Sequence, residues 1–147
     1  MEFRRENISA LFEEAVPLMV KHYKEIAHYK DIELEPDWDA YNKAEEIDAV
    51  RVYTIRDDGQ MIGYAIFFFH TNYHYRKSLQ AYQDLIFIDP KHRGPGYKFI
   101  KWIDGQLKAE GIQIVYHHVK ATKDFGPMLE RIGYELVDKI YARRLDK

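Results

Sequence analysis

Residues 84–104 read DLIFIDPKHRGPGYKFIKWID. An apolar run, Leu85 to Ile88, stops at Asp89-Pro90, a basic turn holding Gly94 and Gly96 follows, and Phe99, Ile100, Ile103 and Leu107 then recur at helical spacing. A short apolar run bounded by turn residues reads as a buried strand. The stretch therefore predicts a strand over 80–90, a tight turn, and a helix over 95–110 stopped by Gly111. A strand delivered straight into an amphipathic helix belongs to a sheet with helices packed on it. The first turn of such a helix also exposes unpaired amide donors at a positive dipole end, and glycines let a bulky anion approach them. Arg93 and Lys98 add charge. On these residues alone, an anion site and a plain strand-to-helix turn are both open readings.

The rest of the chain supplies the partners such a unit needs. Ile8, Leu11, Phe12, Ala15, Leu18, Met19 and Ile26 predict a helix from 8 to about 29, capped by Asn7 or Ser9 and kinked or divided at Pro17. A second helix is expected to start at Pro36 or Asp37 and run to about Val50. The period then changes to that of two strands around Asp57-Asp58-Gly59, a hairpin signal. Residues 70–79 read as a polar connection, 112–119 as a fourth strand and 122–132 as a short helix. Residues 134–145 read as a final pair of strands or one bent strand, and any strand near Phe3 is short. The fold class expected is α/β (α+β mixed): a central mixed, mostly antiparallel twisted sheet flanked by about four helices, as a single domain over 1–147.

Composition narrows the function classes. A formal charge of −2 argues against a duplex-binding protein, and the aromatic strands lack the order of an RNA-stacking platform. With no cysteine there is no thiolate nucleophile, disulfide or thiolate zinc site. The pairs His70/His74 and His117/His118 lack a helical ligand setting, so no metal is expected. No signal-peptide core or membrane-length apolar run is present, which leads to the expectation of a soluble, cytoplasmic protein with no membrane or nucleic-acid partner.

The segment IDPKHRGPGYKFIKWIDGQLKAEGI resembles the acetyl-CoA signature of the GNAT superfamily of N-acetyltransferases, in which a strand reading V-x-P-x-x-R-G-x-G-x-G/A leads into the helix beneath the cofactor pyrophosphate. GYELVDKIYARRL, near the end, is similar to the family's closing segment. The resemblance implies acetyl-CoA as cosubstrate and acetyl transfer to a primary amine by direct attack in a ternary complex. It implies cofactor contacts from the backbone of Ile86, Phe87 and Ile88, and from Arg93, Gly94, Gly96, Tyr97 and Lys98, with Thr122 where the family often has asparagine. Lys98 stands at the usual small-residue position, and Leu129 where a general-acid tyrosine is usual. A non-catalytic acyl-CoA-binding or interaction module of the same fold is the alternative these departures leave.

Amine acetylation also needs a proton acceptor. Asp84 resembles in position the catalytic carboxylate of polyamine acetyltransferase-like members, and strand alternation would put it on one face with Ile86. It would equally serve as a strand-end carboxylate bonded to amides. His117 and His118 are the alternative base, or the acid that reprotonates the thiolate. Being adjacent on a strand they face opposite ways, and one packed and one solvated histidine is the plainer reading. Tyr82 or Tyr141 could replace the missing hydroxyl. The acidic stretch 31–48 suggests a rim for an amine acceptor, either a cationic small molecule or a protein lysine or N-terminus, though such charges also simply solvate a helix. Tyr73, His74 and Tyr75 are candidates for the cleft wall, and a homodimer is compatible with the sequence.

Overall fold

The computed structural model describes residues 1–92 and 94–147. Five strands, β1 (Glu2–Glu6), β2 (Val50–Asp57), β3 (Gln60–Asn72), β4 (Tyr75–Ile88) and β5 (Ile114–Tyr116), form one sheet in chain order. The helices are α1 (Ile8–Ala10), α2 (Val16–Ile26), α3 (Trp38–Glu46), α4 (Gly96–Ala109) and α5 (Gly126–Ile132). Neighbouring strands are antiparallel except β4 and β5, which run parallel because α4 carries the chain back between them. This is the mixed α/β arrangement expected.

Strand alternation divides the core between two faces. On one, Val52, Tyr64, Ile66 and Phe87 meet Ile8, Leu11, Ala15, Leu18 and Met19 of the N-terminal helices. On the other, Tyr53, Ile55, Ala65 and Phe67 meet Phe99, Ile103 and Leu107 of α4. Phe3 of β1 closes that side against Phe99 and Trp102 at 5.2 and 5.8 Å. The break expected at Pro17 takes the form of a π-helical turn, Leu11–Ala15, between α1 and α2. Proline in the first turn of α2 has no amide to give, and the wider turn before it accommodates the ring while the apolar stripe stays buried. Asn7 occupies the cap position without a side-chain bond; Glu45 of α3 instead accepts from the Ile8 amide at 2.9 Å. Asp37 caps α3 by accepting from the Ala40 amide at 3.0 Å.

The Asp58-Gly59 hairpin forms as expected, with both residues at positive φ, 50° and 80°. Two expectations need correction. Residues 70–79 are not a connection: β3 and β4 continue to a turn at Tyr73-His74, where the Asn72 side chain accepts from the His74 amide at 2.8 Å. The outer half of this hairpin is mostly exposed, so no apolar alternation marks it. Residues 134–145 form no strand. A strand needs a ladder, and β5 offers an edge of only three residues. The tail is held by side chains instead: Tyr134 donates to Asp104 at 2.6 Å, and Arg144 and Lys147 both pair with Asp31 at 2.9 Å.

Candidate active site

The ladder between β4 and β5 spans only Gln80↔Ile114 to Tyr82↔Tyr116, whereas β4 continues to Ile88. β5 itself ends at Tyr116, so from Gln83 to Ile88 β4 runs on past the end of that ladder. At about 3.3 Å per residue, the stretch from Asp84 to Ile88 is a rail roughly 13 Å long. Ile86 and Ile88 pack half-buried toward α4, while Phe87 is buried on the opposite face and stacks on His22 at 4.7 Å.

At the far end of this rail the chain turns sharply. Asp89 holds the turn: its carboxylate accepts from the Lys91 amide at 3.1 Å and pairs with Lys21 at 3.1 Å, contacts that keep its pKa below the usual carboxylate range. Arg93, a predicted cofactor contact, lies outside the described residues. α4 begins at Gly96 with no side-chain cap and no acidic residue in its first turn. Among the described residues, the first amide paired in the helix direction is that of Phe99, donating to Pro95 at 2.9 Å, and a helix start leaves the amides before it without intrahelical acceptors. Lys98 is exposed, and the Tyr97 ring has Lys101 Nζ and Arg131 Cζ within 5.4 and 5.8 Å of its centre. A Cβ added at Gly94 would meet nothing within 4 Å, so packing does not demand glycine there. An uncapped helix end, open backbone and neighbouring cations fit a diphosphate.

At the other end of the rail a β-bulge singles out one residue. Ile66 pairs with Leu85 and Phe67 with Gln83, which leaves Asp84 as the extra residue of β4. The bulge cancels the alternation that would have put Asp84 on the face of Ile86. Asp84 turns instead toward α3, where the Tyr41 hydroxyl donates to its Oδ2. Its side chain reaches solvent, yet surrounding protein desolvates it enough to raise its pKa, against the opposing pull of the Tyr41 hydrogen bond and of His118. Asp84 and His118 both line a cleft of about 590 Å³ with Phe68, His70, Tyr73, Tyr82 and Gln83.

His117 and His118 part as adjacent strand residues do. His118 is exposed in the cleft, whereas His117 sits among the rings of Phe67, Phe125 and Tyr134, at 5.5, 6.2 and 5.1 Å. Its Nδ1 donates to Gln83 Oε1 at 2.8 Å, and burial brings its pKa down to about 4, so the ring is neutral at pH 7. Because the folded pKa lies below the unfolded one, the unfolded chain binds more protons between these values, and stability falls as pH drops through that window. The loss attributable to His117 is as much as about 3 kcal/mol. Denaturant unfolding at pH 7 and pH 4.5 checks this: His117→Phe is expected to lose distinctly less stability over that interval than the wild-type chain.

The other predicted residues are scattered. Tyr141 lies on the tail, 88% exposed, and Thr122 on an exposed turn before α5; neither lines the cleft. Leu129 is buried. Sequence reasoning missed Tyr41 as the partner of Asp84 and Phe68 and Gln83 as cleft residues. A bulge set by tertiary pairing leaves no local signal for them.

No family model and no curated protein sequence matches the chain. Solved structures do. A predicted acetyltransferase from Clostridium acetobutylicum, crystallised with acetyl-CoA, is similar at a TM-score of 0.72 and 14% identity, covering 98% of this chain and 96% of that one. A ribosomal-protein-alanine N-acetyltransferase from Brucella melitensis biovar Abortus 2308 gives a TM-score of 0.71 at 17% identity, covering 99% and 100%. An aminoglycoside acetyltransferase from an uncultured soil metagenomic sample, in complex with sisomicin, gives 0.71 at 16% identity, covering 97% and 95%. The mixed sheet, with its parallel β4–β5 pair and the turn into α4, thus has the GNAT fold.

Proposed function

We propose that this chain is an acyl-CoA-dependent N-acyltransferase that moves the acetyl group of acetyl-CoA to a primary amine within a ternary complex. The observation that carries this reading is the run of β4 past the end of β5, which joins Asp84 at one end to the uncapped start of α4 at the other. The backbone of Ile86, Phe87 and Ile88 would hold the pantetheine arm. Gly94, Gly96, Tyr97 and Lys98, with Arg93, would hold the diphosphate, and Thr122 is assigned to the same cofactor. Acetyl-CoA supplies an activated thioester carbonyl. Asp84 takes the first proton that the incoming ammonium must lose; the nitrogen lone pair forms the C–N bond as the C–S bond breaks, the nitrogen gives up its second proton to solvent as the amide forms, and the departing sulfur takes a proton from solvent. This route uses neither the neutral, packed His117 nor Tyr141 on the tail. The acceptor is an amine, either a cationic small molecule or a protein lysine or N-terminus.

Leu129, buried where the resembling enzymes usually carry tyrosine, favours a second reading as a non-catalytic acyl-CoA-binding module. Calorimetric titration with acetyl-CoA, followed by CoA release with a panel of primary amines, tests both. Saturable binding with amine-dependent release is expected. Binding without release on any amine would leave the second reading, and no binding would remove both.

A further inference from the structure

The cleft beside Asp84 carries information about its acceptor, on the reading that this chain is an amine acyltransferase. Its walls are flat rings, each backed by another ring. Tyr82 stacks on Tyr116 at 4.7 Å with a 13° tilt, and the His70 ring meets it edge-on at 4.5 Å. On the neighbouring strand Phe68, the register partner of Tyr82, stacks on Tyr41 at 5.8 Å and 16°, and Tyr41 in turn donates to Asp84. Tyr73 stands exposed at the hairpin tip above. Rings locked in this way lose little freedom when a ligand enters, and they favour a flat apolar body with a cation beside it.

Charge limits the ligand as sharply as shape. Among the described residues, Asp84 is the one carboxylate in the lining of this cleft. The acidic stretch expected to form a rim contributes no carboxylate to this lining, and part of it is engaged elsewhere: Asp31 with Arg144 and Lys147, Asp37 at the start of α3, Glu45 on the Ile8 amide, Asp48 with Arg51. A second ammonium in this cleft would find no second carboxylate to pair with. The volume, about 590 Å³, is that of a site for an ordinary small molecule.

We propose that the acceptor is a primary monoamine on a flat aromatic body, an arylalkylamine, seated against Phe68 and Tyr82 with its nitrogen at Asp84. Polyamines, aminoglycosides and lysine-rich peptides fit the cleft less well.

Two measurements test this on the full chain. CoA release is compared for 2-phenylethylamine, butylamine, spermidine and kanamycin, and binding of the same amines to the CoA-loaded chain is followed by calorimetry, which does not depend on turnover. The expected result is a preference for 2-phenylethylamine over butylamine of tenfold or more, with the polycations last; roughly 10–200-fold is the range that apolar pocket contacts provide. Tyr82→Leu should bring the ratio of phenylethylamine to butylamine toward one, while Tyr82→Phe keeps it. Release or binding led by spermidine or kanamycin would overturn the aromatic monoamine and leave the acyltransferase standing. Binding of 2-phenylethylamine without any release would support the cleft assignment and remove the enzymatic reading. Failure of the aromatic amine to bind at all overturns the inference.

Discussion

Gly96→Glu is expected to weaken acetyl-CoA binding about a thousandfold while leaving the chain folded. Gly96 is the first residue of α4, and a Cβ there would stand 3.6 Å from both Ile88 Cδ1 and Met128 Cε, an ordinary contact distance. The fold therefore has room for a side chain. A carboxylate at a helix start is stabilised by about 0.3–1 kcal/mol by the dipole, so the melting temperature should hold or rise slightly. The same carboxylate would compete for the amide donors proposed for the diphosphate. Two charges about 4 Å apart at an effective dielectric near 20 repel by about 4 kcal/mol, which corresponds to roughly three decades of affinity. Gly96→Ala serves as the steric control and should stay within about tenfold of wild type. Calorimetric titration of the three proteins decides it: wild-type affinity in a folded Gly96→Glu would move the diphosphate off this turn.

What could be read from the sequence depended on whether the signal was local. The α4 stripe of Phe99, Ile100, Ile103 and Leu107, the Asp58-Gly59 turn and the strand running into Ile88 are short-range patterns, and each appears where expected. The outer half of the β3–β4 hairpin was invisible because its side chains face water on a stretch no helix covers, leaving nothing apolar to alternate. The tail failed in the opposite sense. Leu136, Val137, Ile140 and Tyr141 look like strand residues, but they stay exposed because the short β5 edge gives them no ladder. For the site, Asp84 and the glycine turn were legible as residue types in order. Their relation was not. Which residue of β4 the bulge leaves unpaired is decided by packing of β3 and α3, and the Tyr41 partner lies 43 positions away in the chain.

That bulge makes Asp84→Asn the second large effect. As the base in the proposed route, Asp84 works as a carboxylate, so activity should fall as pH drops through its pKa. Burial raises that pKa, which places the acid limb above the range of an ordinary aspartate, near 3.9. Removing the base should lower turnover on the order of 10²–10⁴-fold, spare acetyl-CoA affinity and erase that limb. Tyr41→Phe separates base from bystander. The Tyr41 hydrogen bond pulls the Asp84 pKa down, so its loss should move the acid limb to higher pH while leaving the high-pH plateau far closer to wild type than in Asp84→Asn. Stability should respond in the reverse direction. A carboxylate whose folded pKa is raised contributes stability in its protonated form, and that contribution is lost as pH rises through the folded value; above it, Asp84 is ionised against the fold's preference. Asp84→Asn should accordingly melt no lower than wild type at pH 7, trading activity for stability as residues under catalytic strain do. If folded Asp84→Asn keeps wild-type turnover and an unshifted acid limb, the proton leaves the amine by another group, and the carboxylate is only the anchor of Tyr41.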